Sequence, residues 1–461
     1  MTSRRSPFLA PRAPLGAAWI LSTLALGLCL LAARSAEAGT SDWVEYVEES
    51  ASRIVADPGV GLVDDQEKDI ISGDLDRDGD TDMVVVRKLP FTNQGPRRNV
   101  LFMNEGGVMT DRTSTLAPDF LDETDDRDVL LTDVDGDGWL DVVTATTFGD
   151  QPRLLMNRRN GVGGNWLGLV YEPSRLPTFT PDPFFCSLAV GDVTGDQRPE
   201  IYFVDYDNTL EDRLLINDGN GFFTDETASR MTPAMANSVF GTDAHIVDVN
   251  GDGSNDIVKN NSSGSNPPPG FQPEVSVLYN DGTGNFVFQD VIYADASYMI
   301  EPADFTQDGR IDFFIVDDGQ DRFLINLGND AQNHALFSIN TVTNSPDTNF
   351  FGGNVKFADI DHDGILDVQI ADVDVDIPGC GRNLVLLRGQ GPAPNVTYSD
   401  PLVGASRPWL PSGSHDVEAL HIDNDGVLDL WVATCDGNRV FMGAGPAIFI
   451  DGFESGDTSA W

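Results

Sequence analysis

A short acidic motif recurs seven times along the chain at nearly even intervals. Its clearest copy is Asp133-Val-Asp-Gly-Asp-Gly-Trp-Leu-Asp141, with carboxylates at positions 1, 3, 5 and 9 and a glycine at position 6. The copies begin at residues 74, 133, 192, 248, 304, 359 and 421, so neighbouring copies start 55 to 62 residues apart. A period this regular indicates a repeat protein in which every unit folds in the same way.

The spacing of the carboxylates suits one hard cation. Alternate side chains of a tight turn point inward, position 7 can add its backbone carbonyl, and the glycine permits the sharp bend. Ligation by oxygen alone favours calcium over zinc or copper. Without a cation, carboxylates this close would repel one another. We therefore expect about five to seven structural calcium ions.

The expected metal ligands fall into groups according to how well each copy fits the motif. The full copies are Asp74, Asp76, Asp78 and Asp82; Asp133, Asp135, Asp137 and Asp141; and Asp359, Asp361, Asp363 and Asp367. Copies with a neutral oxygen at position 3 are Asp248, Asn250, Asp252 and Asp256; Asp304, Thr306, Asp308 and Asp312; and, more loosely, Asp192, Thr194, Asp196 and Glu200. The last copy has His421 at position 1, followed by Asp423, Asp425 and Asp429.

These loops differ from EF-hands, which need a glutamate at position 12 and a helix after the loop. Position 12 is Val85 after the first motif and Thr144 after the second. Short apolar runs such as Met83 to Val86 follow the loops, and strand-like segments such as Val355 to Phe357 precede them. Each loop is therefore expected to join two β-strands, named A and B.

The remainder of each unit predicts two further strands. A third strand, C, ends in asparagine and a glycine turn, as in Asn217-Asp-Gly219 and Asn280-Asp-Gly282, which is strong hairpin chemistry. A short strand, D, follows the turn. Seven such units predict an all-β fold, a seven-bladed β-propeller of four-stranded blades with calcium loops at the A–B turns. This propeller is expected to span residues 39–446.

Both chain ends depart from the repeat. Arg4, Arg5 and Arg12 precede a mostly apolar stretch, Leu15 to Ala33, and Ala36-Glu-Ala38 follows it. This order predicts a signal peptide over residues 1–38, with an uncleaved membrane anchor as the alternative. After cleavage we expect no membrane span and a secreted or cell-surface protein.

The segment at 42–50 resembles a D strand, although it comes before the first motif. We expect it to complete the last blade, whose other strands come from about 417 to 442, and so to close the ring. A frayed N-terminal segment is the alternative. The C-terminal tail, 447–461, does not repeat and is interpreted as a sorting tag, although Ile448 to Ile450 could instead extend the last blade.

The repeat unit resembles the FG-GAP or VCBS repeat of integrin α-subunit propellers and bacterial secreted proteins. Phe240-Gly241 and Phe351-Gly352 stand eight residues before Asp248 and Asp359, in agreement with that signature, and the resemblance extends over residues 41 to 445. It implies calcium at the A–B turns, on one face of the ring. It does not fix a function, because such propellers serve adhesion and ligand binding and accompany several enzymes.

The B–C and D–A loops vary in length and share the other face of a propeller, which makes that face the candidate binding surface. The long loops are 87–98, 260–273 and 372–382 (B–C) and 171–185 and 400–416 (D–A); they carry Phe91, Phe179, Phe271 and Trp409. Alternatively, these aromatic residues cover the blades or pack between them. The net charge of −46, from 28 basic and 74 acidic residues, argues against nucleic acid and anionic membranes as partners.

The mature chain keeps three cysteines. Cys380 and Cys435 occupy equivalent B–C loops of adjacent blades, and we hypothesise that they form a disulfide. Cys186, at the start of an A strand, is expected to be a buried core thiol.

No catalytic arrangement of residues is evident in the sequence. The five histidines are scattered without metal-ligand spacing, and neither a nucleophile elbow nor a phosphate-binding loop occurs. We expect a monomeric, noncatalytic propeller that binds an extracellular protein or glycan in adhesion or recognition. The alternative is a calcium-dependent polysaccharide-acting enzyme of the lyase or glycosidase type.

Overall fold

The computed structural model describes residues 45–89, 95–161, 164–207, 211–262, 272–316, 320–342, 353–371, 384–400 and 411–444. The expected signal peptide (1–38) and the C-terminal tail (447–461) lie outside these residues. Among the described residues, no helix is both long enough and apolar enough to cross a lipid bilayer.

The described strands form seven sheets, antiparallel except for the short strand β2, so the predicted all-β, seven-bladed propeller is confirmed. In sheets 1 to 6 the four main strands follow one another in sequence order, which is the A–B–C–D order expected for blades. Blade 1 has β3 (Glu67–Gly73), β4 (Asp82–Lys88), β5 (Val100–Asn104) and β6 (Met109–Asp111), with β2 (Ile54–Val55) parallel to β6; blade 2 has β7 (Asp126–Thr132), β8 (Asp141–Thr146), β9 (Arg153–Arg159) and β10 (Trp166–Tyr171); blade 3 has β11 (Phe185–Gly191), β12 (Glu200–Asp205), β13 (Arg213–Asn217) and β14 (Phe223–Asp225).

The second half of the chain continues the same pattern. Blade 4 has β15 (Ala244–Val247), β16 (Asp256–Asn261), β17 (Glu274–Asn280) and β18 (Phe286–Tyr293); blade 5 has β19 (Met299–Ala303), β20 (Asp312–Val316), β21 (Arg322–Asn329) and β22 (Ala335–Thr341); blade 6 has β23 (Val355–Ala358), β24 (Asp367–Ile370), β25 (Val385–Gln390) and β26 (Thr397–Ser399); blade 7 has β27 (Ser414–Leu420), β28 (Asp429–Thr434) and β29 (Gly437–Ala444). Short helices α1 (Ser50–Arg53), α2 (Thr113–Leu116) and α3 (Thr227–Arg230) and 3₁₀ turns at Pro58–Val60 and Pro118–Leu121 complete the described elements.

The fourth strand of blade 7 comes from the other end of the chain. Strand β1 (Glu45–Glu48) pairs antiparallel with β29, with Glu45 opposite Ala444 and Glu48 opposite Phe441. Tyr46 on β1 is buried in the cluster between blades 6 and 7. The ring is therefore joined by backbone hydrogen bonds between chain ends, and β29 has no free edge along β1.

The hydrophobic core lies between the blades. Each of the seven buried clusters draws on two neighbouring blades, because both faces of every sheet are covered. Between blades 7 and 1, for example, the rings of Trp431 and Phe102 lie 5.0 Å apart. A single repeat cannot bury its own apolar side chains, so the blades fold as an array.

A second contact between blades uses the asparagine that ends strand C. The Asn217 amide nitrogen Nδ2 donates to the carbonyl oxygen of Val134, at position 2 of the preceding blade's acidic loop, at 2.9 Å. Its Oδ1 accepts from the Gly219 amide at 2.8 Å. The same interblade bond joins Asn104 to Ile422, Asn157 to Leu75, Asn280 to Val193 and Asn326 to Val249.

We expect Asn217→Ala to lower the free energy of unfolding by about 1–3 kcal/mol, because it leaves the buried Val134 carbonyl without a donor. Chemical denaturation of the full chain measures this loss. Asn220→Ala, at an exposed position in the same turn, serves as the matched control and is expected to change stability by less than about 0.5 kcal/mol. Equal effects of the two variants would contradict the interblade role.

Candidate functional site

The acidic loops share one set of backbone hydrogen bonds. In the copy at Asp133, Oδ1 accepts from the Asp137 amide at 3.1 Å and Oδ2 from the Gly138 amide at 2.7 Å, while Asp137 accepts from the Trp139 amide. The position 1 carboxylate thus folds the loop around itself. The carboxylates at Asp74, Asp192, Asp248, Asp304 and Asp359 accept the equivalent amides.

The position 9 carboxylate ties the loop to strand C of its own blade. Asp141 Oδ2 accepts from the Val134 amide at 3.1 Å, and Oδ1 accepts from the Asn157 amide at 2.7 Å. Burial, reinforced by the neighbouring carboxylates, raises the pKa of Asp141 to about 8. Asp82, Asp256, Asp367 and Asp429 make the same pair of contacts. Asp312 also accepts from strand C, but its loop partner is the amide of Thr306 at position 3, and Glu200 accepts from the loop alone.

Three loops bring carboxylate oxygens together around a point. Within each of the following groups, one oxygen per residue lies within 4.8 Å of the others: Asp74, Asp76 and Asp78; Asp133, Asp135 and Asp141; and Asp359, Asp361 and Asp367. Buried oxygens of Asp135 and Asp361 have no hydrogen-bond partner among the described residues, and neither do oxygens of Thr194 and Glu200 in the third loop. Converging, unsatisfied acceptors of this kind fit a hard divalent cation.

Two loops have a neutral side chain at position 3 that already makes hydrogen bonds. Thr306 Oγ1 donates to Asp312 at 2.9 Å, and Asn250 Oδ1 accepts from the Asp252 amide at 3.0 Å. The remaining carboxylates keep the shared backbone arrangement. These loops could hold the same cation with less charge.

The seventh loop is built differently. His421 replaces the first carboxylate, and its Nδ1 lies 3.0 Å from the Val427 carbonyl oxygen. Asp423 forms an ion pair at 3.1 Å with Arg53, which reaches it from α1 beside the closing strand. Asp425 accepts from the Val427 amide. His421 leaves this loop one carboxylate short of the full motif, so it fits a bound cation less well than the other loops, and we expect six occupied sites.

The loops separate onto two faces of the ring. On one face, Nη1 of Arg198 in an acidic loop donates to the carbonyl oxygen of Asp218 in a C–D turn at 3.1 Å. On the other, the Gly149 amide of a B–C loop donates to the Pro183 carbonyl oxygen of a D–A loop at 3.1 Å. We call this second surface the variable-loop face.

The sequence selected four aromatic residues for the variable-loop face. Phe179 is buried and packs edge-on against Phe185, with ring centroids 5.1 Å apart, so it belongs to the core between blades 2 and 3. This is the alternative role considered for it. Phe91, Phe271 and Trp409 lie outside the described residues.

Two aromatic pairs on this face were not predicted as binding residues, although Phe240 was noted as part of the Phe-Gly signature. Phe148 packs against Phe184 with centroids 6.3 Å apart, and Tyr206 packs against Phe240 at 5.5 Å. All four rings are half-buried. Phe148 and Phe240 have positive φ angles of 65° and 54°, which strain a bulky residue. Each is followed by glycine, and the Phe148-Gly149 dipeptide was the available signal.

The described cysteines provide no reactive thiol on the surface. Cys186 is free and buried, as predicted. Cys435 is disulfide-bonded, and its predicted partner, Cys380, lies outside the described residues. His415 Nε2 lies 3.5 Å from Cys435 Sγ, but a disulfide sulfur cannot serve as a thiolate nucleophile.

Comparisons with known proteins bear on the repeat and the fold. Residues 74–144, 133–203, 192–259 and 304–369 match the sequence profile described as FG-GAP-like repeat, which together is more than half of the chain. No curated protein sequence matches the chain significantly.

Similar solved structures include two propeller-length chains. One is an Agrocybe aegerita lectin described as recognising non-reducing terminal N-acetylglucosamine, with 16% identity, a TM-score of 0.45 and coverage of 80% of this chain and 86% of the lectin. The other is a putative 6-phosphogluconolactonase from Bacteroides uniformis, with 12% identity, a TM-score of 0.40 and coverage of 80% and 90%. Similarity at these sequence identities and TM-scores carries no argument about activity.

Proposed function

Because the chain belongs to the FG-GAP-like repeat family, we propose that it is a secreted, calcium-stabilised propeller that binds an extracellular protein or glycan without catalysis. A propeller built of these repeats fits a ligand-binding or recognition role, and such repeats are typical of extracellular or surface proteins. Export to a calcium-rich environment would supply the ions that the acidic loops need.

In this proposal calcium is structural. The loops beginning at residues 74, 133, 192, 248, 304 and 359 each bind one ion, and the ion fixes the A–B turn. Support comes from the unsatisfied buried oxygens of Asp135 and Asp361. The strand C asparagine of the next blade donates a hydrogen bond to the loop. An ion in the loop therefore stabilises the contact between blades as well.

The proposed ligand contacts the variable-loop face. The observation that carries this assignment is a pair of strained, half-buried phenylalanines. Phe148 lies in the B–C loop of blade 2, and Phe240 lies in the D–A loop that leads into blade 4. Backbone strain that persists at a surface aromatic residue is a feature of functional sites. Aromatic rings also offer large rigid contact areas to sugars and to protein hot spots.

The test is a double variant, Phe148→Asn with Phe240→Asn, screened with the unmodified chain against immobilised extracellular glycans and proteins. Asparagine tolerates positive φ, so folding should be retained or improved. We expect the variant to bind its ligand at least about tenfold more weakly. Phe222→Asn, an exposed aromatic residue beside a C–D turn, is the matched control and should bind normally.

Two outcomes would contradict the proposal. Binding that survives the double variant but fails in Phe222→Asn would move the site to the other face. Formation of ultraviolet-absorbing unsaturated products from a uronate polysaccharide would show lyase activity and overturn the noncatalytic assignment.

A further inference from the structure

The seven A strands surround a cavity of about 300 Å³. One end of it is closed by Arg127, which reaches across from blade 2. Its Nη1 donates to the Cys186 carbonyl oxygen in blade 3 at 2.7 Å, and its Nη2 contacts the Tyr298 hydroxyl in blade 5 at 3.2 Å. Arg127 lies near the start of its A strand, so a small molecule would enter from the end that carries the acidic loops.

One layer of the cavity wall consists of the residues five positions before each motif, and its carboxylates hold the ring together. Asp128 accepts from the Leu188 amide of the next blade at 2.8 Å and from Ser187 Oγ at 2.6 Å. The same link joins Asp416 to Ile70, Asp69 to Val129 and Asp243 to Ile300. These carboxylates are structural.

The next layer, three positions before each motif, is divided into two halves. Blades 2 and 3 supply the apolar Leu130 and Ala189 to the cavity wall, while blades 4 to 6 supply His245, Glu301 and Lys356. Glu418 of blade 7 holds the equivalent position beside Lys356 but does not line the cavity. In this layer, one side of the cavity wall is therefore apolar and the other is charged.

Glu301 is the unsatisfied member of the charged half. Lys356 lies 3.7 Å from Glu418, and His245 lies 3.4 Å from Asp243. Glu301 stands between them in ring order and has no hydrogen bond or ion pair with any described residue. Burial raises the pKa of Glu301 to about 7, even though His245 and Lys356 attract its charge.

The part of the cavity wall on either side of Glu301 stabilises positive charge on its own side chains. Burial alone would lower the pKa of Lys356, but Asp416, Glu418 and Glu301 outweigh it and raise the pKa above its ordinary value. Burial likewise opposes the charge of His245, yet Asp243 raises its pKa to about 9. Elsewhere in the cavity, burial lowers the pKa of Lys68 to about 8, and burial together with Lys68 and Lys88 lowers the pKa of His415, so the wall favours positive charge only near Glu301.

We propose that the cavity binds a small organic cation, with its ammonium or guanidinium group on Glu301 and a short aliphatic part against Leu130 and Ala189. A metal ion fits less well, because the described residues bring three carboxylate oxygens within 4.8 Å only in the acidic loops. The several N–H donors of an organic cation can reach acceptors that lie farther apart. This site is separate from the variable-loop face.

Titration of the full chain with butylammonium, at saturating calcium so that the loops are filled, tests the site. We expect saturable binding of one molecule per chain, with 1-butanol and butyrate, which lack the positive charge, failing to bind. Glu301→Gln should weaken binding by at least about tenfold. Glu105→Gln removes a surface carboxylate paired with Arg112 and should leave the affinity unchanged.

A rescue experiment supplies a second readout that does not require a substitution of Glu301. Lys356→Ala removes the internal ammonium, and butylammonium should raise the melting temperature of this variant more than that of the unmodified chain. The proposal is overturned if no probe binds saturably, if Glu301→Gln binds as well as the original, or if butylammonium shifts both melting temperatures equally.

Discussion

Removing calcium from the full chain with a chelator is expected to lower its melting temperature by roughly 20 °C. An ion held at a hundredfold excess over its Kd contributes about 2.7 kcal/mol, so six loops contribute about 16 kcal/mol. With an unfolding entropy of about 2.1 cal/mol/K per residue, that free energy corresponds to the stated shift for a chain of this length.

The effect is large because each loop also takes part in the contact between neighbouring blades. In the loop at Asp133, the Val134 amide donates to Asp141 and the Val134 carbonyl oxygen accepts from Asn217 of the next blade. Without an ion, three converging carboxylates repel one another beside this contact. Chelation should therefore loosen both the turn and the seam between blades.

Scanning calorimetry with and without chelator measures the shift, and equilibrium dialysis measures the number of ions. We expect six ions per chain, five for Asp133→Asn and still six for Asp423→Asn, since the seventh loop has His421 in place of its first carboxylate. A chain that binds no more than two ions, or that melts at the same temperature in chelator, would show that calcium does not stabilise this fold.

The repeating part of the structure could be predicted because short local sequence patterns determine it. Each A–B loop needs carboxylates at fixed spacing, and each B strand covered on both faces needs a continuous apolar run such as Met83 to Val86. Period, strand number and ring closure follow from these local signals. The seven blades and the position of each acidic loop were accordingly accessible from the sequence.

Contacts between distant residues were not accessible, because they depend on which blades become neighbours. The asparagine that ends strand C looked like a turn residue, and only the packed ring shows that Asn104 reaches Ile422. Arg53 and Asp423 form their ion pair across 370 residues of sequence. Phe148 was passed over, and Phe240 was noted only as part of the Phe-Gly signature, because the sequence does not show directly that either residue has a positive φ angle.

Lys259 is the strongest example of a residue that the repeat pattern misjudges. It occupies a position of strand β16 at which the other blades have an apolar residue or, in blade 2, Thr144, and it is fully buried. Its Nζ donates to Asp212 Oδ2 at 2.8 Å and to the carbonyl oxygens of Met235 at 2.6 Å and Asn237 at 2.9 Å. A single lysine thus joins blade 4 to the loops of blade 3.

Lys259→Met is expected to lower the free energy of unfolding by about 3–5 kcal/mol, because it leaves a buried carboxylate without its countercharge. Asp212 would keep only the hydroxyl of Tyr202 at 2.6 Å, that of Ser238 at 2.7 Å and the Asp205 amide at 3.0 Å. These neutral donors do not replace an ammonium group in a site that excludes water.

Chemical denaturation at saturating calcium measures this loss separately from the metal loops. Adding Asp212→Asn to Lys259→Met should recover part of the stability, since it removes the unpaired charge, and the double-mutant cycle gives the coupling between the two residues. Arg112→Met breaks the exposed pair with Glu105 and should cost less than about 1 kcal/mol. Comparable losses for Arg112→Met and Lys259→Met, or no recovery in the double variant, would show that the buried ion pair does not hold these two blades together.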